Sequence, residues 1–548
     1  MPRLVLAVLF AGALFAQAPG KPAAKSKDVC APPPGAAAPA LPARLMTGQG
    51  TEFTHFPITT TKPEAQKFFD QGIAQLHSFW ASEAERSFLQ AAEIDPEAPM
   101  PWFGIAMIAG GDYRPRFQID LIEEQWGRQA DPRLTPNRAR AAAEKALELA
   151  KVPGKATDIE KMYIAAAAAR RLPGEQNADD AYIAALRAIV AKDPKQVEAA
   201  SFLALHLMRG FVLPERTPRP GTMEAVEILR KYAAEFPDHP GIHHYIIHAF
   251  EGGTFARDAW PSSRRYPELV PNIPHALHMP GHIWSQTGKF DEAIRSFSDA
   301  AANEIGYLKA DPLMGSGHHG HNVHYLSTAY AFAGKHEEAK KAAISLFAYK
   351  ENPREAAQID NYRTAYRQGW FALMRALVVA EDWDAILDGA TLPRYERPRE
   401  TAWTHWARAL AFAAKGDAAR ARQEAAAMDA ALEKFVETVR RKPAPELAVA
   451  RMELEGHVQL VEGRAKQALK TLAKAAQQQR ALTYSEPPLY PRPVAIALGR
   501  ISLRQERLGD AEKWFRMALE EIPAVAQAEA GLRETLQRSN RSAVSGGN

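Results

Sequence analysis

The chain has 548 residues, 46% of them apolar and 24% charged, with 68 Lys and Arg against 64 Asp and Glu and a single cysteine. That apolar content over that length supports a large buried core, laid out as several domains or one long repetitive array, and excludes a disordered chain. The near-even charge, with no basic stripe interleaved with aromatics, argues against nucleic acid as a partner, and one cysteine excludes an internal disulfide.

At the start of the chain, Arg3, the apolar run Leu4 to Phe15 and then Ala16-Gln17-Ala18 follow the charged, apolar and small-residue order of a secretory signal peptide (residues 1–18), with cleavage expected after Ala18. The run is too short to span a bilayer, and no later segment is long and apolar enough, so the expectation is a periplasmic or secreted protein with no transmembrane segment. Cys30 lies too far beyond the run to read as a lipid-modified cysteine. Residues 19–50, rich in Ala, Pro and Lys without a helical period, read as a flexible leader.

From Ala65 onward small and large residues alternate at a helical period, and the punctuation returns at intervals of roughly 34 residues, as helix-turn-helix repeats require. In the first unit Phe68 and Gly72 belong to one helix, Ala84, Phe88 and Ala91 to a second, and Asp95-Pro96 ends it, with Trp102 opening the next. This unit resembles a tetratricopeptide repeat. Further units centre on Gly288 to Ala293, Gly334 to Ala339, Gly416 to Ala421, Gly463 to Ala468 and Ala511 to Pro523. Strand signals are absent, and Ala-rich windows such as Ala141 to Ala150 favour helix. The predicted fold is therefore all-α, a tetratricopeptide-repeat-like α-solenoid of stacked helical hairpins.

The array divides into N-terminal repeats over 51–111, an insertion and irregular hairpins over 112–196, central His-rich repeats over 197–350, C-terminal repeats over 351–540 and a short disordered tail over 541–548. Two segments break the period, Gly111 to Thr135 and Tyr307 to Gly317, and such insertions often map to the binding face.

Eleven of the 17 histidines fall between His239 and His324, where an even spread would place roughly three. They recur at helical spacing: His244 and His248 with Glu251, then His275, His278 and His282, then His321 and His324. With first helices starting at Pro240, Pro274 and Gly320, all of these occupy the second, fifth, ninth or twelfth positions, which face the groove in such repeats. Neighbouring helix axes lie about 8–10 Å apart, close enough for adjacent repeats to share an ion. Pro280 falls inside the second of these helices and should kink it or mark a late start. His318 and His319 are expected near the rim, and Met279 reads as packing. His55 and His77 are assigned structural roles, reaching the groove only if the solenoid curls strongly.

Imidazole-rich sites suit zinc, copper, iron or nickel rather than calcium or magnesium. The expected metal ligands are His244, His248, His275, His278, His282, His321 and His324, with Glu251 as a ligand or catalytic base. Seven imidazoles exceed the three or four that one ion needs, leaving room for a second ion or for orienting roles. Two other readings stay open: a metal-free scaffold binding a peptide or protein in the groove, and a zinc-type hydrolase or a copper or iron oxidase using the same cluster. The proline-braced turn Tyr484 to Arg492, with Glu486-Pro487-Pro488 inside it, reads as a packed loop that alternatively closes the groove or binds a charged group. No Gly-rich phosphate loop, Gly-x-Ser-x-Gly elbow or cysteine nucleophile with its base is evident.

Several stretches carry a wider resemblance: Phe56-Pro57-Ile58-Thr59-Thr60, Phe69-Asp70-Gln71-Gly72, His77-Ser78-Phe79-Trp80-Ala81-Ser82-Glu83-Ala84, His239-Pro240-Gly241, His244-Tyr245-Ile246-Ile247-His248, His278-Met279-Pro280-Gly281-His282-Ile283 and Glu486-Pro487-Pro488. With these the chain resembles a group of bacterial exported tetratricopeptide-repeat proteins over nearly its whole mature length. The resemblance implies an α-solenoid outside the cytoplasm and supplies no activity. The chain departs from the group at Glu97 to Pro99, where a cysteine often stands, and at Leu489-Tyr490, where an aromatic pair usually follows the prolines.

Overall fold

The computed structural model describes residues 43–120, 136–171, 178–310, 316–349, 364–439, 442–485 and 487–545. The proposed signal peptide, Cys30, Glu486 and most of the Gly111 to Thr135 insertion lie outside them. In chain order the helices are α1 (Pro63–His77), α2 (Ala81–Ile94), α3 (Met100–Gly110), α4 (Pro136–Ala150), α5 (Asp158–Ala169), α6 (Ala178–Lys192), α7 (Val197–Leu207), α8 (Thr222–Glu235), α9 (Pro240–Phe250), α10 (Trp260–Leu269), α11 (Pro274–Gln286) and α12 (Phe290–Ala310). They continue with α13 (Gly317–Phe332), α14 (His336–Ser345), α15 (Ala365–Ala380), α16 (Trp383–Leu387), α17 (Pro398–Ala414), α18 (Ala418–Val439), α19 (Pro445–Val461), α20 (Ala465–Arg480), α21 (Val494–Arg504), α22 (Leu508–Glu521) and α23 (Ala526–Ser545). The strand content described is one antiparallel pair of two-residue strands, Phe211–Val212 with Thr217–Pro218.

The helices pack as antiparallel hairpins, α1 on α2, α11 on α12, α17 on α18, α19 on α20 and α21 on α22, and first helices of successive hairpins also touch, as in α17 on α19. This is the stacked-hairpin, all-α architecture the periodicity predicts. Proline opens α1, α9, α11, α17 and α19 in the first turn, where its missing N–H costs no hydrogen bond.

A recurrent contact sets the distance between the two helices of a hairpin. Gly72, Gly281, Gly456 and Gly499 each face a large side chain sixteen positions later, Phe88, Phe297, Leu472 and Phe515, and a Cβ on any of these glycines would collide with it. The turns share a device as well: Gly288, Gly334, Gly416 and Gly463 follow first helices in the left-handed conformation, with φ of 75°, 78°, 80° and 83°. There glycine escapes the Cβ penalty of a helix C-terminus. In the first hairpin the equivalent position is held by Phe79, at φ 52°.

Part of the segment read as a leader is packed. The Met46 amide donates to Gln71 Oε1 at 2.7 Å, Gln71 Nε2 donates to the Arg44 carbonyl at 3.0 Å, and Gln49 is fully buried with its Oε1 accepting from Gln75 Nε2 at 2.7 Å. Among the described residues no helix is long and apolar enough to cross a membrane. Helix α9 packs on α1, α7 and α11, so the turn after α1 closes over the histidine face of the central repeats.

Candidate metal centre

The site begins with the start of α9. His239 caps this helix, its Nδ1 accepting from the Ile242 amide at 3.3 Å, and Pro240 occupies the first turn. One turn of helix then separates His244 from His248, and α11, opening at Pro274, brings His275 alongside. One nitrogen of each of these three imidazoles lies within 4.8 Å of the others.

The hydrogen bonds around the rings decide which nitrogens face inward. His244 Nδ1 donates to the His77 carbonyl at 2.5 Å, and His248 Nδ1 donates to Glu251 Oε2 at 2.5 Å. Both rings are thereby held as Nδ1–H tautomers, so each Nε2 carries a lone pair. The Nε2 atoms of His244, His248 and His275 are all shielded from solvent and without a hydrogen-bond partner. Buried polar atoms are almost always satisfied, and lone pairs brought together without a donor repel. A neutral His275 with its proton on Nε2 relieves part of this, and a second proton on His244 or His275 would create a buried imidazolium. That outcome is opposed: burial, reinforced by neighbouring imidazoles, pushes the pKa of His244 and of His275 well below the ordinary histidine value. A divalent cation could instead accept all three lone pairs. Donors on one zinc ion at about 2.0–2.1 Å sit roughly 3.4 Å apart, so the trio has to close by on the order of 1 Å.

Aromatic rings wall the trio. Phe79 stacks on His248 with ring centroids 5.1 Å apart and on His275 at 5.5 Å, and leans on His244 at 4.4 Å. Tyr266 stacks on the far face of this set, 5.0 Å from the His244 ring and nearly parallel to it. The inserted segment contributes Tyr113, 5.6 Å from Phe79, and Phe117, 6.3 Å from His248. Phe79 holds the left-handed turn position that Glu506 holds after α21 and glycine holds in other hairpins, and from there its ring lies over the three histidines.

Glu251 lies behind the trio, on the Nδ1 side of His248 and not on its Nε2 side. Its second oxygen accepts from His282 Nδ1, so both oxygens serve to orient imidazoles, as carboxylates commonly do behind metal-bound histidines. Burial works against ionisation of Glu251, but its pairing with His248 and His282 outweighs it and holds the carboxyl below the usual range.

The other predicted ligands form a second group. His278 and His282 face each other, Nε2 to Nε2, at 2.8 Å. His282 is a Nδ1–H tautomer through Glu251, so His278 donates in this pair, which leaves His278 Nδ1 buried and unpartnered. His321 lies 4.8 Å from His278 between ring centroids, and Tyr325 packs on both at 4.5–4.6 Å. His275 joins the two groups, 6.1 Å from His278. His324 stands apart from both: its Nε2 accepts from Arg375 Nη1 at 3.2 Å, and its pKa is driven well below the ordinary value by burial and by that guanidinium. His321 and His324 diverge because α13 turns His321 toward α11 and His324 toward α15. His318, expected at the rim, sits beside the cluster, 6.2 Å from His275, and pairs with the fully buried Glu304 at 2.8 Å. His319 packs on Tyr349 at 5.2 Å.

Where an open groove was expected, the histidines line a buried wall: His244 and His278 are fully covered and His248 is 2% exposed. The reason is the α1 turn, whose residues 77–79 reach this face, as was expected of His77 only if the array curls strongly. A further triad, His77, Glu198 and His239, also meets the spacing of a metal site. Its ring nitrogens are used differently. His77 Nδ1 pairs with the Tyr245 hydroxyl at 2.9 Å and its Nε2 with Glu198 Oε2, while His239 Nε2 reaches Glu198 Oε1 at 3.2 Å. With His239 Nδ1 occupied by the helix cap, no imidazole lone pair in this triad is left over, and the set ties α1, α7 and α9 together. His55 pairs with Asp70 at the surface.

No family profile and no curated protein sequence matches this chain. Among solved structures it is similar to the human IFIT1 dimer with m7Gppp-AAAA, at 12% identity and a TM-score of 0.33 over 91% of this chain and 93% of that one. Yeast Tom70 gives 13% identity and a TM-score of 0.27 over 87% and 90%. The Cut9 chain of the APC/C Cut9–Hcn1 tetramer gives 13% and 0.29 over 87% and 77%. Likeness at this level carries no argument about activity, ligand or partner, and the assignment of a helical-hairpin array rests on the hairpins described above.

Proposed function

We propose that this is an exported helical-repeat protein that holds one transition-metal ion on His244, His248 and His275. The observation that carries the reading is three imidazoles, one nitrogen of each within 4.8 Å of the others and each with a buried, unpartnered Nε2, two of them oriented by hydrogen bonds on the opposite ring nitrogen. Glu251 and the His77 carbonyl orient His248 and His244, and Phe79 and Tyr266 stack on the rings.

Three neutral nitrogen donors suit zinc, copper or iron, and on a tetrahedral ion they leave one position for water or for a bound molecule. The reading therefore allows catalysis by an activated water, with no role for Glu251 as base, since both of its oxygens are engaged. Export remains an expectation from Leu4 to Ala18. The test is elemental analysis of untagged protein expressed from its full sequence. The proposal expects one zinc, copper or iron per chain, lost on replacing His248 and His275 together; metal content unchanged in that double variant rejects it.

A further inference from the structure

A second site lies away from the metal trio, where the central repeats meet the C-terminal ones. A cavity of about 150 Å³ opens between α11, α12 and α13 on one side and the turn after α20 with the end of α22 on the other. An engineered protein cavity of about this size holds a benzene ring. The walls match such an occupant: Phe290, Phe297, Tyr325 and Phe332 come from the central repeats, and Leu482 and Leu489 from the segment that follows α20.

A guanidinium and a buried carboxyl, neither in an ion pair among the described residues, border the same space. Glu521, at the last position of α22, has its Oε1 shielded from solvent and without a hydrogen bond. Arg216, on the short hairpin after α7, lines the cavity too and has no ion-pair partner among the described residues. The third charge at the mouth, Arg480, is already engaged with Glu520 at 3.3 Å. A cation and a carboxyl that flank one small cavity without meeting leave a slot for a head group bearing both charges.

We infer that this cavity binds a small zwitterion with one aromatic or branched apolar side chain, a free apolar α-amino acid, its carboxylate toward Arg216 and its ammonium toward Glu521. The side chain fills the phenylalanine-lined floor. Without ligand Glu521 keeps its proton near neutral pH, and a bound ammonium would favour release of that proton to solvent. Burial raises its pKa to about 8 despite Arg480 and Arg216, the mark of a carboxyl that lacks a close counter-charge. The site uses none of His244, His248 and His275, although its Phe297 and Tyr325 pack on His278 and His282.

Isothermal titration of the full-length protein with L-phenylalanine, 2-phenylethylamine, 3-phenylpropionate and glycine tests the inference, run with and without a strong chelator. The expected result is binding of L-phenylalanine at least tenfold tighter than any of the three truncated molecules, unchanged by the chelator. Glu521→Gln should abolish the advantage over 3-phenylpropionate, and Arg216→Gln the advantage over 2-phenylethylamine; because Arg216 is partly exposed, the latter variant is expected to fold normally. No binding of L-phenylalanine, equal binding of all four molecules, or preferences untouched by both substitutions would overturn it. Loss of binding in chelator would overturn its independence from the metal.

Discussion

The Nδ1 of His244 donates to the backbone carbonyl of His77 at 2.5 Å, across 167 residues of sequence. This bond fixes the tautomer of His244, turns its free nitrogen toward His248 and His275, and joins the first hairpin to the central repeats. A main-chain acceptor cannot be altered by mutation of its own side chain, so the partners of the trio are the informative positions.

Single replacement of His244, His248 or His275 by alanine should reduce bound metal from one per chain to below about one tenth, because two protein donors hold an ion far less tightly than three. His324→Ala, whose ring faces Arg375, should leave it unchanged. Plasma mass spectrometry of the four variants distinguishes these outcomes, and metal loss in His324→Ala with retention in His275→Ala would reverse the assignment.

Glu251→Gln keeps a hydrogen-bond acceptor for one histidine but removes the carboxylate shared by two. Loss of such an orienting carboxylate typically lowers metal affinity by about 10–100-fold. Competition with a chromogenic chelator should show that drop with the helical circular dichroism preserved. A complete loss of metal would instead mark Glu251 as a direct ligand.

Phe79→Gly relieves a left-handed backbone position and removes the ring stacked on the histidines. The rate at which chelator extracts the ion should rise at least several-fold, since the cover over the rings is gone, while helix content remains. An unchanged extraction rate would assign Phe79 to packing alone.

Gly281→Ala places a methyl group against Phe297 in the α11–α12 hairpin, an overpacking expected to cost about 1–3 kcal/mol. Urea denaturation followed by circular dichroism should show an earlier transition. Adding Phe297→Leu should recover part of the loss, because the smaller side chain makes room; no recovery would place the strain elsewhere.

Glu521 offers a test by pH. Its pKa is about 8 in the folded chain against an ordinary value of 4.5, so the unfolded chain gives up its proton first as pH rises. Folding is therefore progressively disfavoured between about pH 4.5 and 8, and the penalty is constant above that window. Glu521→Gln should match the parent protein in thermal midpoint near pH 4 and exceed it near pH 9. A variant less stable than the parent at pH 9 would show that the carboxylate is paired when ionised.

The sequence by itself determined the helical array. The period of small and large residues, the glycines after first helices and the prolines opening helices are local signals, and they produce hairpins wherever they occur because each depends on residues within a turn or two. It also determined that His244 and His248 share one face of α9, and that His275, His278 and His282 follow on the neighbouring first helix. Which of these imidazoles converge was decided by tertiary structure. His275 joins His244 and His248 while His278 turns to His282, His321 joins that second pair, and His324 faces Arg375, because each ring adopts the rotamer its packed neighbours allow. The closing of the histidine face by Phe79 and the pairing of His244 with the His77 carbonyl depend on a contact between α1 and α9 that no local spacing encodes, since helices far apart in sequence meet only when the hairpins between them stack and bring them together.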